Sequence, residues 1–349
     1  MYNKNSSTIV NRTNLSATSL LIPSVDNNFS RVLVEIVYVV IFVLGTVGNV
    51  AMIFLLRRRS RRRRQSPSNR LLVHVVISEM SVLLLNIPID IALIHVGHRW
   101  IFGPTMCKIL WPLQTLSFGS FVWILTLLSY QRYRGIVCPL EGKLSTKRVN
   151  SMVSIVWLFS LVVVIPYGAF LDYQGDDCIE TWNQFTRKCF TVIFFIVQYA
   201  LPLAITLYCY VKIAIVVRKG HTNVRRHISG SIQAESRHKQ RNFSAIRTAV
   251  LFTVIFAVCM FPHQALWLWL EFGNYQGDIR HVLTFAYMFT FTSVFMNPLV
   301  YILSTPSVRK EFCLKASVLR MGSCSGSHFE RRFLKKRSST NSGTGESIV

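Results

Sequence analysis

Charged side chains are scarce in this chain, at 15% of its 349 residues, and acidic ones are scarcest, with 15 Asp and Glu against 39 Lys and Arg. Soluble domains carry about 25% charged residues. With 51% hydrophobic residues, the composition therefore indicates a protein in lipid. The net charge of +24 does not indicate nucleic-acid binding, because the basic residues lie in short segments between apolar runs, as in cytoplasmic loops.

Other absences exclude further classes of protein. The sequence has no nucleophile elbow, phosphate-binding loop or zinc-ligand spacing, so we expect no enzymatic activity, no cofactor and no metal. It also lacks the internal repeats and the several intramembrane charges of a transporter or channel, since we count one deep carboxylate, Glu79. No basic segment with an apolar core precedes the first long apolar run, which we therefore expect to act as an uncleaved signal anchor.

Seven apolar stretches are each close to the ~20 residues that cross hydrocarbon as a helix. These first to seventh spans lie approximately at residues 36–56, 71–96, 109–128, 152–171, 190–211, 249–270 and 282–303. The sequence therefore predicts an all-α membrane protein, a seven-transmembrane helix bundle over residues 32–304. A short amphipathic membrane-surface helix at 305–320 and a disordered cytoplasmic tail at 321–349 should follow it.

Basic residues mark one side of the predicted membrane. The loop after the first span reads RRRSRRRRQSPSNR, with eight arginines in fourteen residues, and the loops after the third and fifth spans are also basic. The alternate loops are poorer in lysine and arginine, so the positive-inside rule predicts an extracellular N-terminus and a cytoplasmic C-terminus. Sequons in the N-terminal segment, residues 1–31, predict glycosylation at Asn5, Asn11, Asn14 and Asn28.

The first span carries Gly45 and Gly48, which allow a neighbouring helix to approach closely, and then Asn49. An amide in the membrane needs a hydrogen-bond partner, and we expect Glu79 of the second span to provide it. One proline interrupts each of the last three spans and should let those helices bend about a fixed point. These prolines are Pro202, Pro262 and Pro298.

Three of the eight cysteines, Cys107, Cys178 and Cys189, are expected on the oxidising outer side. A bridge from Cys107 to Cys178 would hold the loop after the fourth span over the bundle. Cys189 would then remain unpaired and could compete with Cys178. In the tail, Cys313 and Cys324 are candidate acylation sites.

Short motifs recur in order along the spans. They are Gly48-Asn49-Val50, Cys107 twenty-five residues before Arg132, Gln131-Arg132-Tyr133, Trp157, the three prolines, and Asn297-Pro298-x-x-Tyr301. From about residue 33 to 315 this order resembles the rhodopsin-like family of G-protein-coupled receptors. The segment Cys178-Ile-Glu-Thr-Trp182 and the stretch from His263 to Gly273 are similar to the neuropeptide-receptor branch, most of all to galanin receptors and their orphan relatives.

The resemblance implies a peptide receptor of the plasma membrane that activates heterotrimeric G proteins, with arrestin, receptor kinases and membrane lipids as further partners. Its activation switch would comprise Gln131, Arg132, Tyr133, Tyr210, Phe256, Met260, Pro262, Asn297, Pro298 and Tyr301. Its intramembrane polar core would comprise Asn49 and Glu79. Its ligand site would comprise Gln114, Phe118, Glu180, His263, Gln264, Trp267, Glu271 and Tyr287.

The chemistry of the ligand is open at this stage. Amine receptors carry an aspartate at the place of Gln114, so a biogenic amine is disfavoured. Asp177, Glu180 and Glu271 at the outer rim would suit a basic peptide. A lipid stays an alternative, because the aromatic residues of the ligand site would also accommodate one.

The chain departs from the family pattern at several positions. Gln131 replaces the usual aspartate beside Arg132, and Met260 replaces the usual tryptophan of the sixth span. Glu79 replaces an aspartate, and Phe121 stands where a small hydroxyl residue is common, so that its ring would crowd the sodium ion that the family binds between these positions. Alternatives are therefore an atypical or decoy receptor, or a constitutively active receptor without normal ligand gating.

Overall fold

The computed structural model describes the chain over residues 27–62, 67–139, 144–223, 232–273 and 280–305. Several predictions fall outside these ranges: the sequons at Asn5, Asn11 and Asn14, the helix at 305–320, the tail, and the acylation sites Cys313 and Cys324. Asn28 lies in the first turn of the first helix.

Seven helices in the described part of the chain are long and apolar enough to cross a membrane, which confirms the predicted bundle. Six of the spans are single helices, at Asn27–Arg62, Pro67–His95, Gly103–Val137, Thr146–Ala169, Ile232–Phe272 and Arg280–Ser304. The fifth span runs from Gln184–Phe195 through a π-helical turn, Ile196–Ala200, to Leu201–Asn223. Most of the helices extend beyond their apolar runs, because polar residues continue the backbone hydrogen bonding past the hydrocarbon region.

The third span is the centre of the bundle. Of its apolar window 56% is buried inside the protein, against 17% for the fourth span. Large apolar side chains on the outer faces of other spans are exposed, among them Leu158, Val162 and Val258. Such broad apolar exposure would favour aggregation in water, and it is the surface that a lipid-facing bundle requires.

Two small residues of the first span set its distance from its neighbours. A Cβ atom at Gly45 would lie 3.0 Å from a methyl group of Leu83 on the second span. One at Gly48 would lie 3.1 Å from the Cβ of Pro298 on the seventh span. Both contacts are tighter than ordinary packing, so the glycines permit the close approach that the sequence predicted.

A β-hairpin, which the sequence analysis did not predict, covers the end of the bundle where the fourth span ends. This end is called outer, and the opposite one inner, after the predicted orientation. Strands β1 (Leu171–Gln174) and β2 (Asp177–Glu180) pair antiparallel. Gly175 and Asp176 between them both have positive φ, as a type I′ turn requires. The predicted disulfide is confirmed: Cys178 of β2 is bonded to Cys107 of the third span, and Cys189 is free and exposed.

The π-helical turn of the fifth span is the second unpredicted feature. It faces the side chain of Gln198 toward the third span, where a Cβ on Gly119 would meet the Gln198 amide at 3.1 Å. It also places the hydroxyl of Tyr199 to donate to the carbonyl of Ala257 on the sixth span, at 3.0 Å. Single-turn π segments often mark functional positions, and this one links the fifth span to the third and the sixth.

Candidate functional site

Arg132 lies at the inner end of the third span with its Nε buried, so it is not an anchor residue that reaches out to solvent. Its Nη1 donates to the hydroxyl of Ser68 on the second span, at 3.1 Å. The hydroxyls of Tyr210 and Tyr301 lie within electrostatic range of the guanidinium. The structure therefore brings together three of the predicted switch residues, and it adds Ser68, which the sequence analysis missed.

Gln131 is also buried, with 8% of its surface exposed. Its Oε1 receives no hydrogen bond from the described residues. Arg132 thus has a neutral hydroxyl as its polar contact, where the family pattern provides an adjacent carboxylate.

Tyr133 occupies a different environment from Arg132. Its ring stacks on Tyr130 at a centroid distance of 6.4 Å and lies 6.1 Å from Tyr208, which is 55% exposed. The predicted switch residue Tyr133 therefore lies toward the fifth span, away from the Ser68 side of the third.

The aromatic and sulfur residues of the sixth span pack against the middle of the bundle. Phe256 meets Phe121 edge-on at 6.0 Å and Tyr199 at 6.3 Å. Met260, one turn further along the helix, is buried. Pro262 follows inside the same helix. These predicted residues lie where a bend of the sixth span would rearrange its contacts with the third and fifth.

The polar core of the bundle has a different connection from the predicted one. Asn49 was expected to bond Glu79, but its amide donates to the carbonyl of Gly45 in its own helix, at 3.0 Å. Glu79 instead accepts a 2.7 Å hydrogen bond from the amide of Asn297 on the seventh span. The seventh-span motif is therefore tied directly to the second span.

Three acceptor oxygens of this core are buried without a donor among the described residues: Glu79 Oε2, Asn49 Oδ1 and Asn297 Oδ1. Hard oxygen atoms with one carboxylate among them suit a small cation such as sodium, as the family resemblance implies. Residue 121 adds no hydroxyl to this set, because it is a phenylalanine. Its ring packs against Phe256 of the sixth span. The crowding of this site by Phe121 stays a prediction.

Five aromatic rings, named here the outer aromatic cluster, pack together in the outer half of the bundle. They are Tyr38, Phe118, His263, Tyr287 and Phe291. Phe291 is its hub, with ring centroids 5.7 Å from Tyr38, 5.9 Å from Phe118 and 6.3 Å from Tyr287. His263 lies 4.6 Å from Tyr287 and accepts a hydrogen bond from Trp267 Nε1 at 2.9 Å. Four predicted ligand residues, Phe118, His263, Trp267 and Tyr287, are therefore brought together.

Gln114 lies beside an acidic residue, Asp90, that the sequence analysis did not include in the ligand site. Its Nε2 donates to the carbonyl of Leu85 at 3.2 Å and lies 3.5 Å from Oδ1 of Asp90. Asp90 is therefore a second carboxylate that faces another span, nearer the end of its helix than the deep Glu79. The signal was present in the sequence, because an acid within a predicted span is a functional candidate by default.

The other predicted ligand residues are engaged within the protein. Gln264 is buried in the sixth span. Glu271 is paired with Arg187 at 3.0 Å, so its charge is already balanced. Glu180 accepts a 2.7 Å hydrogen bond from Trp182 Nε1. Burial raises the pKa of the Glu180 carboxyl, and the hydrogen bond from Trp182 opposes that shift.

Comparison with known sequences decides the family. The profile described as "7 transmembrane receptor (rhodopsin family)" matches residues 48–301. The chain belongs to this family. It is thus a multi-pass membrane receptor and a G-protein-coupled receptor by family, as the motifs predicted.

The relatives of this rhodopsin-family receptor include several neuropeptide receptors. It is 27% identical over 299 residues to neuropeptide Y receptor type 6 from Oryctolagus cuniculus, covering 78% of this chain and 77% of the relative. It is 24% identical over 288 residues to galanin receptor type 1 from Rattus norvegicus, covering 79% and 80%. It is 27% identical over 305 residues to the neuropeptide CCHamide-1 receptor from Drosophila melanogaster, covering 80% and 59%. The predicted neuropeptide branch is confirmed.

Proposed function

We propose that this protein is a plasma-membrane receptor, with its N-terminus outside, that binds an extracellular peptide and activates heterotrimeric G proteins. The names of its relatives support a peptide, and the distribution of basic loops supports the orientation. Arrestin, receptor kinases and membrane lipids are further partners in this proposal.

The observation that carries the proposal is the inward position of Arg132. A cation at the membrane edge would lower its free energy by reaching the solvent, yet this one has its Nε buried, donates to Ser68 and lies within electrostatic range of Tyr210 and Tyr301. Outward movement of the inner end of the sixth span would open a crevice around Arg132 and expose this arginine to a G protein. The contacts between Phe256 and the rings of Phe121 and Tyr199 would link such a movement to the middle of the bundle.

A second candidate, a receptor with raised basal activity, is favoured by the environment of Arg132. In place of an ion pair with residue 131, the arginine has one hydrogen bond to a neutral hydroxyl. That bond lacks the attraction between two opposite charges that an ion pair with residue 131 would add. The restraint on the inactive arrangement should therefore be weak.

The test is a peptide-library screen on cells that express the full chain, with G-protein activation and arrestin recruitment measured in parallel. A peptide that activates G proteins supports the proposal. High G-protein activity in the absence of any peptide supports the second candidate. Arrestin recruitment or peptide uptake with no G-protein signal contradicts both and indicates a decoy receptor.

A further inference from the structure

Asp90 lies near the outer end of the second span. It is five residues before the end of that helix at His95, or about 8 Å below it at 1.5 Å per residue. At this depth a carboxylate is within reach of a ligand that enters from outside, and the low-dielectric surroundings make its charge costly unless a cation or several donors compensate it.

The described residues provide little compensation for this charge. The contact of Asp90 Oδ1 with Gln114 Nε2 is 3.5 Å, at the outer limit of a hydrogen bond, and the same nitrogen has a shorter contact with Leu85. Ion pairs among the described outer residues join His95 to Glu35 and Arg187 to Glu271, and neither includes Asp90.

Several other described cations at this end of the bundle have contacts with groups other than Asp90. Arg31 donates to the carbonyl of His95, and Arg99 donates to the carbonyl of Val96. Lys188 lies over the ring of Phe272, 5.7 Å from its centroid. In the described part of the chain, the carboxylate of Asp90 is therefore left for a cation that comes from elsewhere.

The surroundings of Asp90 suit an organic cation. Its charge lies within electrostatic range of the hydroxyls of Tyr38 and Tyr287, two members of the outer aromatic cluster on the first and seventh spans. Aromatic faces attract amines and guanidinium groups, most strongly where water is excluded. A carboxylate beside the Gln114 amide and within electrostatic range of two tyrosines would hold such a group by its charge, and the aromatic rings nearby would add to the attraction.

We propose that Asp90 is the anchor for a cationic group of the ligand, an amine or a guanidinium, which binds near Tyr38 and Tyr287. This inference deepens the proposed function, on which it rests, by naming the chemistry of one ligand group. It also revises the argument against an amine, which was that the third span has Gln114 where amine receptors have an aspartate. Asp90 of the second span provides a carboxylate beside that glutamine. The rim acid Glu271, by contrast, is already paired with Arg187.

A direct test uses the purified full-length receptor in detergent, with benzamidine, an aromatic amidinium, and benzamide, its neutral analogue of similar shape. Benzamidine should raise the unfolding temperature of the wild type, and benzamide should not. Asp90→Asn should increase the benzamidine concentration needed by about tenfold, since a charge-assisted contact is lost. Glu35→Gln, which removes an acid at the same end of the bundle, is the matched control and should respond as the wild type. No wild-type shift, or an equal shift in Asp90→Asn, overturns the proposal.

The second arm separates this proposal from the peptide function. The peptide library is synthesised in pairs, with arginine replaced by citrulline and lysine by acetyl-lysine. Active peptides that lose potency on this replacement in the wild type, but not in Asp90→Asn, support the anchor. Peptides that keep their potency contradict the anchor and leave the peptide receptor intact. A benzamidine effect that depends on Asp90, with no active peptide, supports the cation site and contradicts the peptide function.

Discussion

The outer and inner halves of the bundle each contain a half-buried charge with no opposite charge beside it among the described residues. In the outer half Asp90 has a 3.5 Å contact with the amide of Gln114. In the inner half Arg132 follows Gln131 and donates to Ser68 at 3.1 Å. The two charges differ in their polar contacts. The inner charge has a hydroxyl at good hydrogen-bond distance, whereas the contact of the outer charge is at the limit of a hydrogen bond. Among the described residues, the inner charge is thus held by one hydrogen bond at good distance, whereas the outer charge has only a long contact.

The two halves also differ in what fixes their geometry. The outer half has a covalent bond, Cys107–Cys178, within an apolar cluster that includes Leu93, Trp100 and Leu171. At the inner end, polar contacts between helices tie the spans together, such as the 2.9 Å hydrogen bond between Ser129 and Tyr210. A rigid outer end and a hydrogen-bonded inner end are what a switch needs if a ligand on one side is to move helices on the other.

The largest effect on signalling is expected from removal of the inner charge, Arg132. Arg132→Ala should abolish G-protein signalling while surface expression stays intact, because the crevice would lose the cation offered to the G protein. Signalling and surface expression are measured in the same cells. Arg148→Ala, at an exposed arginine near the start of the fourth span, is the control and should signal normally. Full signalling by Arg132→Ala would show that the inner charge has no special role.

The next effect concerns the covalent bond of the outer half. Cys178→Ser should greatly reduce delivery to the cell surface, since loss of a native disulfide costs about 2–5 kcal/mol. Cys189→Ser should not, because Cys189 is free in the structure. Surface labelling of both variants checks this. The reverse result would mean that Cys189 is the true partner of Cys107.

Restoring the missing acid tests the contrast between the two halves directly. Gln131→Asp should lower basal signalling by about tenfold, because a carboxylate beside Arg132 adds a charge-assisted hydrogen bond to the inactive arrangement. Gln131→Asn, which changes the length but not the charge, is the control for loss of the native side chain. Unchanged basal signalling in Gln131→Asp would count against a loosely held arginine.

The smallest effect should come from the hydroxyl that holds Arg132. Ser68→Ala removes one hydrogen bond from the guanidinium and should raise basal signalling by about threefold, because water can replace much of the hydroxyl's contact with a partly buried cation. Ser68→Thr keeps the hydroxyl and should stay close to the wild type. Basal signalling that falls in Ser68→Ala would show that the contact stabilises the active arrangement instead.

The sequence by itself determined the elements and their class. Seven apolar runs, the basic loops and the ordered motifs predicted the bundle and its family, because hydropathy and motif spacing are local properties of the chain. The Cys107–Cys178 bridge was predicted for a related reason, since few of the cysteines lie on the oxidising side. These features need no knowledge of how the helices are arranged.

Only the tertiary structure decided which polar groups meet. The partner of Glu79 is Asn297, 218 residues away, and not Asn49. Asp90 lies beside Gln114, and Glu271 beside Arg187, which separates an acid with a neutral neighbour from one that is paired with a cation. The physical reason is that a hydrogen bond or ion pair depends on ångström-scale distances between helices. Those distances are set by helix rotation, by close glycine contacts and by the π-helical turn, and a hydropathy pattern contains none of them.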